Sequence, residues 1–278
     1  MTIRQILAAL FIGLLSTSCE DIATDDSGSG GLKAIFASPL VNNINTATVA
    51  ETAQRIRASR FNAVIGLADT HNLRDFVIHP SRSATELDPR VVQNVKTLQR
   101  TGVRVGLILR NDWSVRTGRG SISSTGGRPS PASFYDMTRI PNETAFAMNV
   151  VGAVPGVFLQ LNLEPSHSSS VAFYLKLAEN IRRAGYDGLL IANFVGEARG
   201  LAEEQRSAFK RLNVLFATSQ NTFNYNLSED IINTDGNFEI DAANAAEVIN
   251  DLDRLGKPYI FWASDVRLPR IPDAFLPR

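Results

Sequence analysis

The sequence predicts an α/β fold of the TIM-type (β/α)8 barrel class, and three observations carry that expectation. From Leu32 onward, short and nearly continuous apolar runs alternate with amphipathic helical stretches. Helical stretches end in glycine and feed straight into the next apolar run at Arg100-Thr101-Gly102-Val103, Arg183-Ala184-Gly185-Tyr186 and Arg254-Leu255-Gly256-Lys257. Glycine supplies the left-handed cap that such a helix-to-strand turn needs. A domain of about 245 residues built from repeated βα units also has the usual span of a barrel.

The chain opens with an address segment. Arg4 precedes an apolar run from Ile6 to Leu15, too short to cross a bilayer as a mature helix but the right length for a secretory signal. Ser16-Thr17-Ser18-Cys19 follows. Small residues precede the cysteine, so signal peptidase and lipoprotein peptidase would both cut before Cys19. The segment resembles a bacterial lipobox, except that Leu15 stands four residues before the cysteine, where the pattern usually has an aliphatic residue three before it. Residues 1–18 are therefore read as a signal peptide and Cys19 as a lipidation site, with plain secretion as the alternative. Residues 19–31 carry Glu20, Asp21, Asp25 and Asp26 and then a Ser/Gly run, the composition of a flexible tether. Residues 32–278 form one expected barrel domain, and the protein is expected at the cell envelope, in the periplasm or on the outer membrane.

Seven strands are legible: 33–38, 62–67, 103–110, 156–163, 186–193, 212–219 and 257–264. Their continuous apolar character fits strands covered on both faces, hence a parallel sheet under helices. Helices are expected near 48–59, 88–101, 168–184, 200–211 and 242–255. Asp88-Pro89 reads as an N-cap with proline at the first helical position, and Val91, Val92, Val95 and Leu98 then recur on one face. The count is one strand short of eight. Either the missing strand lies within 222–241, or the barrel is incomplete after 265, where a proline-rich tail follows. A doubly wound open sheet is the competing architecture.

Composition narrows the chemistry. With 278 residues and 44% hydrophobic content the chain can bury a large core. Lys plus Arg and Asp plus Glu both number 28, so there is no net field to hold nucleic acid. The single cysteine excludes a disulfide framework and a cysteine-based metal site. No phosphate loop, dinucleotide fingerprint or Gly-x-Ser-x-Gly turn is present. His71, His79 and His167 lack the paired-histidine spacing of barrel amidohydrolases on the first strand, so neither metal nor cofactor is expected.

Barrel sites sit at the C-terminal ends of the strands, and those ends carry a consistent chemistry here. Asp69 and His71 follow the second expected strand; Arg110, Asp112 and Trp113 follow the third; Asn162, Glu164 and His167 follow the fourth. Asn193 ends the fifth, Asn224 and Tyr225 follow the sixth, and Trp262 and Asp265 close the last. Amides and carboxylates pair with hydroxyls, and aromatic faces cover the apolar face of a sugar ring. Structural roles compete with these: Glu164 as a helix cap, Asp265 in a surface pair with Arg267, the tryptophans as packing. The segment 114–141, with Arg116, Arg119, Arg128 and Arg139, reads as a long loop, either solvated or holding an acidic sugar.

The arrangement resembles the cellulase-like glycoside hydrolases of the (β/α)8 clan, over most of residues 32–265. Arg57-Ala58-Ser59-Arg60-Phe61-Asn62-Ala63-Val64 is similar to their step into the second strand, and Val103–Asn111 to their third. Phe158–Pro165 resembles their fourth, which ends in Asn-Glu-Pro; here Leu163 separates Asn162 from Glu164. Lys257-Pro258-Tyr259-Ile260-Phe261 resembles their seventh strand, which delivers a nucleophilic glutamate; the nearest carboxylate here is Asp265. The resemblance implies a carbohydrate ligand and Glu164 as acid/base. A retaining enzyme holds its two carboxyl groups roughly 5–5.5 Å apart, so an inward Asp265 completes an enzyme. An outward one leaves an inactive barrel that binds carbohydrate or serves as a scaffold lipoprotein.

Overall fold

The computed structural model describes residues 31–36, 46–67, 89–111, 135–163, 168–195, 201–219, 230–234 and 245–261. Strands β1 (Lys33–Phe36), β2 (Ala63–Leu67), β3 (Arg104–Asn111) and β4 (Phe158–Leu163) are followed by β5 (Leu190–Val195), β6 (Val214–Ser219), β7 (Ile231–Asn233) and β8 (Tyr259–Phe261). All neighbours pair in parallel, and β8 returns to β1 through Ala34 opposite Ile260, so the sheet closes as an eight-stranded barrel. Helices α1 (Thr46–Ala58), α2 (Pro89–Arg100), α3 (Ile140–Ala153), α4 (Ser168–Arg183), α5 (Glu203–Arg211) and α6 (Ala245–Leu255) lie between strands. The fold is a TIM-type (β/α)8 barrel; the open sheet and the incomplete barrel are both excluded.

The eighth strand is β7, inside the 222–241 stretch. Three residues, Ile231-Ile232-Asn233, are too few to show a period in the sequence. Consequently 257–261 is the eighth strand and not the seventh. Two further expectations shift. The fifth strand starts at Leu190 and runs to Val195, because Tyr186 is used as a prop: its buried hydroxyl lies 3.1 Å from Val157 O and 2.8 Å from Leu189 O. Burial pushes this phenol well above the usual tyrosine range. The loop expected over 114–141 ends earlier than that, since Met137–Arg139 is a 3-10 turn and α3 begins at Ile140. Helix α3 escaped the sequence because apolar residues surround it and the amphipathic signal is weak; Pro141 in its first turn marks its start.

Two apolar regions hold the barrel. One fills the layer between sheet and helices, with Val91, Val95 and Leu98 of α2 and Val248, Ile249 and Leu252 of α6 buried against it. The other lies inside the barrel: Leu32, Ala34, Ala63, Ile65, Ile108, Phe158, Leu189, Ile191, Ala217, Ile231 and Ile260. Size alternates there for a reason. A Cβ on Gly106 would lie 2.1 Å from the Phe158 ring, so β3 carries a bare backbone where β4 carries its largest inward group. Arg104 covers the same ring at 5.9 Å.

Charged groups pin the elements where apolar contact is not directional. Asp253 of α6 accepts from Lys33 of β1 at 2.6 Å and from Tyr259 of β8 at 3.2 Å, spanning the seam where the first and last strands meet. Arg182 of α4 donates to four backbone carbonyls, of Tyr186, Gly188, Leu212 and Asn213, each at 2.8 or 2.9 Å. It ties the two connections that lead into β5 and β6. The turns behave as the glycine rhythm implies: Gly102, Gly185 and Gly256 have positive φ, and at the α5–β6 turn Asn213 takes that conformation.

Gly106→Ala is expected to destabilise the fold by about 3 kcal/mol, at the upper end of overpacking costs, measured by denaturant unfolding. Adding Phe158→Leu in the same chain should restore part of the loss. An unaffected single variant would show that the ring is free to move aside.

Candidate functional site

The inside of the barrel changes character from one end to the other. On β4 the side chains alternate, so Phe158 and Gln160 face inward while Leu159 and Leu161 join the outer layer. Gln160 lies opposite Ile108 of β3 and Ile191 of β5, both inward residues. Two residues further toward the C-terminal end, Asn111, Asn162 and Asn193 share one row across β3, β4 and β5. Asn193 is in turn opposite the small Ala217 of β6. The floor is therefore aromatic and aliphatic, and amide residues gather toward the strand ends where barrel sites lie.

A bulge helps set that row. Ile108 pairs with Gln160 but Arg110 pairs with Leu161, which leaves Leu109 as an extra residue in β3. Downstream of a bulge the strand's facing changes phase. This is why Asn111, and not Arg110, comes into register with Asn162 and Asn193. Arg110, an expected ligand contact, is thus placed opposite Leu161, whose side chain belongs to the outer layer.

Asn193 is the one expected contact whose side chain the structure describes, and it is 2% exposed. Asn233 at the end of β7 donates from Nδ2 to Asn193 Oδ1 at 2.5 Å. The bond spans from β5 to β7 over β6, which is possible because Ala217 leaves room between them. Buried amides are costly unless hydrogen-bonded; this pair satisfies one another and fixes the wall of the barrel near its C-terminal end. No charged group is present among the described inward side chains of that half.

Gln160 and Asn233 were not singled out by sequence reasoning. The signal for Gln160 was available, since a polar residue at an inward position of the otherwise apolar Phe158-Leu159-Gln160-Leu161 run breaks the pattern. Asn233 was hidden with its strand. Arg139, read as part of a basic loop, instead forms an ion pair with buried Glu143 across one turn of α3 at 2.9 Å, which ties it to the helix start.

The remaining expected residues lie outside the described ones: Glu164, Asp265, Asp69, His71, Asp112 and Trp113, as well as His167, Asn224, Tyr225, Trp262 and Cys19. Asn162 is placed on β4, one residue before Leu163, which ends the strand, and Glu164 is the next residue in the chain. Asp265 comes four residues after the end of β8. The corrected strand count matters here. The position that the resemblance gives to a nucleophile, after the seventh strand, falls after Asn233, and the first carboxylate there in the sequence is Asp235.

No protein-family profile matches the chain, and no curated protein matches it in sequence. Among the solved structures that resemble it are several glycoside hydrolases. A β-mannanase from Thermomonospora fusca shares 12% identity over 84% of this chain and 78% of its own, with a TM-score of 0.49. A family 5 glycoside hydrolase from Bacteroides vulgatus shares 9% over 82% of this chain and 48% of its own, with a TM-score of 0.49. A family 20 β-N-acetylglucosaminidase shares 12% over 69% of this chain and 52% of its own, with a TM-score of 0.42. The chain spans about half the length of the last two. At such identities the likeness is one of fold.

The Asn193–Asn233 bond should appear as a coupling. Asn193→Leu and Asn233→Leu are each expected to destabilise by about 1–2 kcal/mol, and the double variant by less than the sum. Strict additivity in a double-mutant cycle would show that the two amides do not depend on each other.

Proposed function

We propose that this protein is a glycoside hydrolase-like barrel acting on a polysaccharide or oligosaccharide at the C-terminal end of the strands, with Glu164 as the acid/base. The observation that carries the proposal is the polarity of the barrel interior, apolar at the floor and amide-lined toward the strand ends. Amides offer both a donor and an acceptor, which suits hydroxyl groups and holds no charge. β4 ends at Leu163, and Glu164 is the next residue in the sequence.

In this reading Glu164 protonates the oxygen of the departing sugar while a second carboxylate attacks the anomeric carbon or activates water. Two groups are candidates for the second role: Asp235 after β7 and Asp265 after β8. Asp235 has the place that the resemblance gives to the nucleophile; Asp265 has the place suggested by the similarity of the Lys257–Phe261 run. Asp69, His71, Asp112, Trp113, His167, Asn224, Tyr225 and Trp262, with Asn162 and Asn193, would bind sugar around them. Export and anchoring through Cys19 would put the barrel at the cell envelope, where polysaccharide is met.

Reducing-end release from mannan, xylan, cellulose and chitin tests the assignment. Glu164→Gln keeps the shape and removes the proton, so activity should fall by roughly 10²–10⁴-fold; an unchanged rate overturns the role of Glu164. Of Asp235→Asn and Asp265→Asn, the one that abolishes turnover identifies the second carboxylate. If neither substitution changes the rate, neither residue is the second group. Cys19→Ser in the full chain should move the protein from the membrane to the soluble fraction, and continued membrane retention would contradict lipidation.

A further inference from the structure

Among the described residues, Gln160 is the one inward residue whose side-chain acceptor the fold does not use. It is 3% exposed, and its side-chain Oε1 has no hydrogen-bond partner. Its register neighbours Ile108 and Ile191 are aliphatic and have no donor to give. A buried acceptor without a donor is destabilising, and native proteins leave few of them. An aliphatic residue of similar volume would fill this position between two isoleucines without that cost. The glutamine therefore has a use that the folded chain alone does not reveal.

Direction and chemistry narrow that use. On the floor side, Phe158 precedes Gln160 on the same strand face, and its ring occupies the space left by Gly106. A partner for Gln160 must therefore come from the C-terminal side, the side on which the Asn193–Asn233 pair stands. The partner must donate a hydrogen bond. On the carbohydrate reading that donor is a hydroxyl group.

We propose that Gln160 is a ligand-binding residue whose amide oxygen accepts a hydrogen bond from a sugar hydroxyl inserted at the inner end of the barrel mouth. This rests on the carbohydrate reading given above and extends it to a residue within the strand. Asn193, held by Asn233, forms the wall beside the inserted group. The acceptor is unsatisfied in the free protein and satisfied in the complex, so stability of the free chain is given up for binding. Affinity and stability should then respond to Gln160 in opposite directions.

The test uses the full chain and Gln160→Met, which keeps the length of the side chain and removes the amide. Gln160→Leu serves as a second variant in case methionine packs poorly. Thermal unfolding of the free protein is read beside calorimetric titration with mannohexaose, xylohexaose, cellohexaose and chitohexaose. The expected result is an unchanged or raised Tm with at least roughly tenfold weaker binding of the oligosaccharide that the wild type binds. A clear fall in Tm for both variants overturns the proposal, because the amide is then satisfied inside the free protein, as by a trapped water. Equal affinity of variant and wild type also overturns it while leaving the carbohydrate reading intact. If the wild type binds none of the four sugars, the carbohydrate reading falls and the sugar hydroxyl falls with it.

Discussion

The interior volume of the closed sheet is the constraint on which the rest of this protein depends. An eight-stranded parallel barrel encloses a space just wide enough to be filled by side chains, so every inward residue must fit its neighbours on other strands. Phe158 against Gly106 is the clearest case, since the ring occupies the place where a side chain at position 106 would stand. Ala34, Ala63 and Ala217 similarly offset the isoleucines at Ile65, Ile108, Ile191, Ile231 and Ile260. Closure depends on this fit and on the seam, where Asp253 joins Lys33 and Tyr259 at the meeting of β1 and β8.

That same space has two ends, and their difference connects packing to function. Apolar groups fill it from the floor through Ile191, and polar groups begin at Gln160, Asn193 and Asn233. A fold needing only stability would continue the aliphatic filling to the rim. Placing amides there costs free energy unless they are paired, and one pair is made, between Asn193 and Asn233. Gln160 has an acceptor that is not paired. Strands position such groups more rigidly than loops do, so the inner part of the mouth is set by the sheet.

The fold was legible in the sequence wherever an element was long enough to carry a period. Strands β1 to β4, β6 and β8 begin within two residues of where apolar runs and turns place them, and the glycine-ended helices stop as expected. The failures have local causes. Strand β7 is three residues long, α3 is apolar on most sides, and Tyr186 is an apolar-looking residue that serves as a prop before β5. The amide character of the strand ends was legible, and Asn193 does lie there, buried near the end of β5. Which residues of β3 join that row was not, because the bulge at Leu109 changes the phase of the strand and nothing in the residue types of Val103 to Asn111 announces it. The missed strand also shifts the count: Asp265 follows the eighth strand, and the first carboxylate after the seventh in the sequence is Asp235.

A crystal structure of the full chain with the best-bound of the oligosaccharides would test the central claim most directly. The account predicts the sugar at the C-terminal end of the barrel, with a hydroxyl on the Gln160 amide and the Glu164 carboxyl beside a glycosidic oxygen. A second carboxyl group should stand roughly 5–5.5 Å from Glu164 for retention, or roughly 6.5–9.5 Å for inversion. Sugar bound on an outer face of the barrel, or a mouth in which Glu164 has no second carboxylate within that range, would contradict it.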